Sequence, residues 1–182
     1  LLARAFSLPD LIINGKLDSY LVMPKNVLLS VITSSTSASA LGDLLYGLII
    51  ICVFCFSIQR FFLFLLFTVT GTVIITSFAV LMGSLSFWFI RAEMFGQQML
   101  DSMLNFSTYP DGIFKGTVKF MLYLVIPVGM SVYQPIHLMV HFQINRMLAV
   151  LGYTVLLAAA AVFVFYRGLK RYSSSSLMSA RT

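Results

Sequence analysis

Few side chains in this sequence have types and spacings that could do chemistry. Cys52 and Cys55 form a C-x-x-C inside an apolar segment, where no cationic group is near enough to favour a reactive thiolate. We interpret them as packing residues. His137 and His141 are four residues apart and could share a metal ion, but no Glu follows His137 and no third ligand is near. We expect a polar stripe on a short interfacial helix instead, joined by Gln134, Gln143 and Asn145.

Motifs for nucleotide or acyl chemistry are missing from the sequence. It has no G-x-x-x-x-G-K-[ST] loop, no G-x-S-x-G and no paired carboxylates at membrane depth. We therefore predict no enzymatic activity for the chain by itself, no cofactor and no metal. Asp43 is the acidic residue nearest to an apolar segment, and we expect it to anchor a helix end rather than relay protons. The energy for any uphill transport then has to come from a partner.

The elements that carry these residues are apolar helices. Hydrophobic residues make up 59% of the 182 residues and charged residues only 10%, well below the roughly 25% of soluble domains. Residues 61–90 contain no charge, and as a helix they would be about 45 Å long against a hydrocarbon core of about 30 Å. We predict an all-α, polytopic membrane bundle of about four spans. The other three candidate spans are residues 44–59, 120–136 and 147–166. The first of these extends back to residue 38.

The charges predict an orientation for this bundle. Four spans would place ten of the twelve Lys and Arg residues on one side, leaving Arg60 and Arg146 on the other. By the positive-inside rule both termini and the central loop, with Lys115 and Lys119, are expected in the cytoplasm. The net charge of +6 then reflects topology and anionic lipids, not nucleic acid. The domains would be a cytoplasmic segment 1–37, a transmembrane domain 38–166 and a cytoplasmic tail 167–182.

The segment before the first span has an amphipathic pattern. Residues 9–26 alternate apolar and charged side chains, Asn14 and Gly15 interrupt the pattern, and Pro24 ends the helix that begins at Lys16. On these residues alone, the helix could lie on the membrane surface or dock in a groove of a partner protein.

Four segments resemble a known family in the same order. Residues 14–24, NGKLDSYLVMP, resemble the G-x-[LF]-D-x-[YL]-L-x-x-P segment of membrane permease subunits of ATP-binding-cassette exporters, type 2 group. Similar matches are residues 105–110 with 113–114, residues 126–128 with 133–135, and residues 167–174. Permeases of this group have about six spans, so two further spans are expected before residue 1.

The resemblance implies a half-transporter and a docking site. Two permease subunits, identical or sister chains, would enclose the pathway, and a separate cytoplasmic ATPase subunit would hydrolyse ATP. Its docking site would be the coupling helix within residues 15–24, which favours the groove over the membrane surface. The resemblance gives Gly15 the role of a turn. The expected buried anchors are Leu17, Tyr20 and Leu21, the charges that set register are Lys16 and Asp18, and Pro24 closes the segment.

Two other functions share the same uncharged spans. A passive channel subunit would need no ATPase, and a membrane scaffold or assembly protein would have no transported substrate. For the permease we expect the plasma membrane, and in a prokaryote the inner membrane.

Overall fold

The computed structural model describes residues 3–35, 38–54, 57–89 and 92–172. Helices and the turns between them form all of these ranges, which contain no strand. Cys55, Arg91, Arg181 and the end of the 167–174 motif lie outside the described residues. The predicted all-helical class is confirmed.

Two helices are long and apolar enough to cross a membrane. Helix α5 spans Ile58–Ser84 and continues as a 3-10 turn, Leu85–Phe87, while helix α9 spans Ile144–Leu169. They are the predicted spans 61–90 and 147–166, and they pack against each other along their length. Neither contains Pro, and their Thr hydroxyls donate to carbonyls of their own helices, so every turn stays hydrogen-bonded in an apolar surrounding.

The other two predicted spans are shorter or broken. Helix α4, Ala38–Phe54, is apolar but short, and it touches α5 through Gly47 and the ring of Phe64. Residues 120–136 fall on helix α7, Gly116–Leu124, and on the π turn Gly129–Tyr133 with helix α8, Gln134–Val140. The two arms meet at an angle of 78° around Pro127. Four straight crossings are therefore not found among the described residues, and the count stays a prediction.

Helix α6, Ala92–Ser107, runs back along α5. Gly96 faces Met82 near the end of α5, and a Cβ built on Gly96 would lie 3.4 Å from that side chain. Further along, Leu100 and Met103 are buried. The Phe106 carbonyl accepts a 2.6 Å hydrogen bond from Tyr133 in the π turn, which lies against the middle of α5. From the sequence, this stretch is predicted to be part of a cytoplasmic loop, because polar residues interrupt its apolar positions.

The pair α7 and α8 lies at the end of the bundle where α5 and α9 begin. Leu63, Phe67, Leu138 and Val150 form one buried cluster there. Lys119 of α7 and Arg146 of α9 line the same pocket. The charge pattern assigns these two residues to opposite sides of the membrane, whereas the structure places them beside one pocket, so the side that each occupies stays a prediction.

The main core extends from the middle of the bundle to its opposite end. There the N-terminal segment packs on α5 and α9 through a 3-10 turn, Ala3–Ser7, and three short helices. These helices are α1, Leu8–Ile13, α2, Asp18–Leu21, and α3, Val27–Thr33. Fully or almost fully buried side chains from all three parts form this core, among them Leu8, Ile12, Leu17, Val31, Ile74, Phe78 and Phe165.

Candidate functional site

Residues 15–24 form a tight turn followed by one turn of helix. After α1 ends, Gly15 has φ +70°, a conformation that favours glycine, and no atom would obstruct a Cβ there. The Leu17 amide then donates to the Leu11 carbonyl at 3.0 Å, which folds the segment back onto α1. The Ser19 hydroxyl donates to the Lys16 carbonyl at 2.8 Å. The helix, α2, is four residues long and begins at Asp18 rather than at Lys16.

The three residues predicted as anchors for a partner occupy different environments. Leu17 is fully buried in the core of this chain, so it holds the segment in place from below. Tyr20 is half-buried, and its hydroxyl pairs with the Ser34 hydroxyl at 3.2 Å. Leu21 is 41% exposed, and the adjoining Val22 is 85% exposed. The apolar surface free for a partner is therefore centred on Leu21 and Val22.

The two charged residues also differ. Lys16 is exposed, as is Pro24 at the end of the segment. Asp18 is half-buried and lies beside Tyr172. Tyr172 follows just after the end of α9. Burial, together with the Asp18 carboxylate, raises the pKa of Tyr172 to about 12, so this phenol stays protonated at physiological pH. Its buried hydroxyl makes no hydrogen bond of regular geometry, which leaves the Asp18 carboxylate as its nearest electrostatic partner.

An aromatic cluster joins the ends of α5 and α9 beneath the segment. The Phe87 ring meets the Phe165 ring edge-on at a centroid distance of 5.8 Å and the Tyr172 ring at 6.1 Å. A side chain at Gly168 would overlap the Phe87 ring, so the close approach of these two chain segments needs a glycine. Because Tyr172 also faces Asp18, the cluster connects the segment to both long helices.

Two further contacts hold the residues on either side of the segment to the long helices. Asn26 caps α3 by accepting from the Leu29 amide at 3.4 Å, and its side-chain oxygen also accepts a 2.6 Å hydrogen bond from the Tyr166 hydroxyl of α9. Leu8 packs on Gly83 near the end of α5, where a Cβ would lie 3.1 Å from the Leu8 side chain. The segment and its flanking residues are therefore joined to both long helices by packed and hydrogen-bonded side chains.

Sequence reasoning missed the residues beneath the segment, Asn26, Phe87, Tyr166 and Tyr172. Asn26 had a local signal, since Asn directly before an apolar run is a common N-cap. Its partner Tyr166 is 140 residues away, and no spacing rule connects two positions so distant. Phe87 and Tyr172 look like ordinary apolar and tail residues until the helix ends meet.

The cysteine and histidine side chains do not form a metal site in the described part of the chain. Cys52 is a free, exposed thiol, and its predicted companion Cys55 lies outside the described residues. The His137 ring nitrogen Nε2 is 3.5 Å from the Asp111 carboxylate. Across the ranges that the structure describes, no three His, Cys, Asp or Glu side chains come together as metal ligands do.

Comparison with known proteins gives one match. The sequence model described as ABC-2 family transporter protein covers residues 3–176. No curated protein and no solved structure matches the chain.

Proposed function

The chain belongs to the ABC-2 transporter family, and we propose that it is the membrane-spanning permease subunit of an ATP-driven exporter. ATP hydrolysis would come from a separate cytoplasmic ATPase subunit, and the chain by itself would have no ATPase activity. A second permease subunit, identical or a sister chain, would complete the translocation pathway.

The observation that carries this proposal is the position of residues 15–24 on the core of the chain. Their exposed apolar surface, Leu21 and Val22, faces away from the chain, while Leu17 fixes their base in the core. Asp18 connects this segment to Tyr172 past the end of α9. The residues on either side of it reach the long helices, since Asn26 bonds to Tyr166 of α9 and Leu8 packs on Gly83 of α5. A partner that binds this surface and moves with its nucleotide state would displace both long helices together.

We propose that this end of the bundle is cytoplasmic, with the N- and C-termini, in the plasma membrane or the prokaryotic inner membrane. The Lys and Arg residues at this end support the orientation by the positive-inside rule. They are Arg4, Lys16, Lys25, Arg167, Lys170 and Arg171.

The test is a pull-down of the ATPase subunit at matched membrane abundance of each variant. Leu21→Ala is expected to weaken the association by about 2 kcal/mol, because it removes an exposed anchor without disturbing the core. Tyr20→Ala should also weaken it, partly by loosening α2, since the Ser34 contact is lost. Asp18→Lys should uncouple transport while the protein stays in the membrane.

Leu29→Ala is the matched control. Leu29 is 60% exposed on the next helix but lies outside residues 15–24, so its loss should leave the association unchanged. Undiminished binding and transport in all three variants would place the docking surface elsewhere. It would return this segment to the alternative of a helix on the membrane surface.

A further inference from the structure

A polar pocket of 590 Å³ lies at the other end of the bundle, between α7, α8 and the start of α9. Its polar lining consists of Asp111, Lys119, Tyr123, Gln134, His137 and Arg146. The exposed ring of Phe120 adds an apolar edge. The pocket is far from residues 15–24 and has no part in the proposed docking of an ATPase.

The acidic group of this pocket is already neutralised. Asp111 accepts from the Lys119 ammonium at 2.8 Å and from the Tyr123 hydroxyl at 3.4 Å, and His137 Nε2 lies 3.5 Å away. The carboxylate side chain is only 14% exposed. It therefore offers little to a cationic ligand.

The basic groups exceed the acidic one. Arg146 lines the pocket, is exposed, and forms no ion pair with any part of the chain that the structure describes. Lys119 and Arg146 against Asp111 leave a surplus of one positive charge, before any contribution from His137. A planar guanidinium without a partner is suited to a phosphate or carboxylate, which it binds through two parallel hydrogen bonds.

Gln134 adds a second, independent requirement. Its side-chain oxygen is buried and makes no hydrogen bond of regular geometry, although the Tyr123 phenol lies beside the amide. A buried acceptor without a partner costs about 1–3 kcal/mol, so such groups are normally satisfied by water or a ligand. The missing partner has to be an O–H or N–H group that enters the pocket.

We propose that this pocket binds a phosphate ester that carries a hydroxyl group, of the glycerophosphate type. The phosphate would pair with Arg146, and the hydroxyl would donate to the Gln134 oxygen. Two sources present this chemistry: a soluble glycerophosphate and the headgroup of a phosphatidylglycerol lipid, whose chains could pass over Phe120. Binding does not require transport, so it can be tested apart from the proposed permease function.

The first experiment uses the purified full chain in a neutral detergent and isothermal titration calorimetry. Glycerol 3-phosphate is expected to bind more tightly than inorganic phosphate, and glycerol is expected not to bind. In the second experiment the chain is reconstituted in phosphatidylcholine vesicles containing phosphatidylglycerol, and native mass spectrometry counts the lipids it retains. Binding of the free ester indicates a soluble ligand, and selective retention of phosphatidylglycerol indicates a lipid headgroup. Failure of both overturns the proposal.

Variants then assign the binding to this pocket. Arg146→Gln should weaken it at least about tenfold, the usual size for the loss of a charge-assisted hydrogen bond. Arg146→Lys should weaken binding less, because lysine keeps the positive charge but lacks the guanidinium that forms two parallel hydrogen bonds. Gln134→Leu should abolish the preference for glycerol 3-phosphate over phosphate.

Arg60→Gln is the matched control. Arg60 is an exposed arginine that lines a separate pocket with Ser57 and Met139, so its loss should leave binding unchanged. An equal loss in Arg60→Gln and Arg146→Gln would mean that the anion binds by general attraction, which also overturns the proposal.

Discussion

At the residue scale, Gly168 controls how closely α9 approaches the end of α5. An added methyl group would overlap the Phe87 ring, and that ring is held by Phe165 and Tyr172. We expect Gly168→Ala to lower the free energy of unfolding by about 1–3 kcal/mol, the usual range for overpacking. Denaturant unfolding in detergent, followed by circular dichroism, measures the change.

Gly152→Ala provides the control on the same helix. No atom lies within 4 Å of a Cβ at Gly152, so this change should be neutral or raise stability by up to about 1 kcal/mol through helix propensity. Equal effects of the two substitutions would contradict the overlap with Phe87.

The sequence could predict some of these residues and not others. Gly15 is predicted to allow a turn, because a glycine before an amphipathic run is a local signal. Its positive φ agrees with that role. The sequence could not show that Leu17 is buried and Leu21 is exposed, because the alternation of apolar residues gives their spacing but not which of them faces the protein interior. The contact of Tyr166 with Asn26 depends on the whole fold.

At the element scale, the bend between α7 and α8 is the least regular feature of the chain. Pro127 is fully buried at the bend and cannot donate to the preceding turn of helix, while its carbonyl accepts from both the amide and the hydroxyl of Ser131. Pro127→Ala restores a donor, and we expect the pair to open toward a straight helix. Transport should fall more than expression.

Spin labels at Phe120 and Val140, both exposed, measure the bend in a background without Cys52 and Cys55. A straight helix would separate the two backbones by about 30 Å, so the distance should lengthen toward that value. Pro135→Ala is the control, because Pro135 lies in the first turn of α8, where its ring fits. An unchanged distance in Pro127→Ala would show that the surrounding packing, not Pro127, sets the angle.

Elements were predictable in proportion to their apolar length. Continuous charge-free runs identified α5 and α9 directly. Helix α6 was missed because Glu93, Gln97, Gln98 and Asp101 interrupt its hydropathy, although it packs along α5 through Gly96, Leu100 and Met103. The four motifs, in their order along the chain, predicted the family resemblance. The match over residues 3–176 confirms it.

At the scale of the whole molecule, the path of α6 changes the predicted topology. Because α6 returns along α5, Lys119 and Leu138 lie at the end of the bundle that contains Arg60 and Arg146, while residues 129–133 lie against the middle of α5. Lys115 and Lys119 would then leave the predicted cytoplasmic group, and the partition would change from ten against two to eight against four. The majority still favours cytoplasmic termini.

Single cysteines at Lys115, Arg146 and Lys170 test this arrangement in a chain without Cys52 and Cys55. An impermeant thiol reagent added to intact cells should label the first two and leave the third unlabelled. Labelling of Arg146 without Lys115 would restore the cytoplasmic central loop and contradict the path of α6.

The hydrogen bond between Tyr166 and Asn26 has a consequence for the synthesis of the protein. Its two residues are 140 positions apart, and Tyr166 lies near the end of the last helix. While a ribosome is still making α9, Asn26 has no Tyr166 and Asp18 has no Tyr172 to contact. Under the proposed docking, an unfinished chain would therefore offer an ATPase only a loosely held surface. Firm docking would follow only after α9 has entered the bilayer and the contacts of Tyr166 with Asn26 and of Tyr172 with Asp18 have formed.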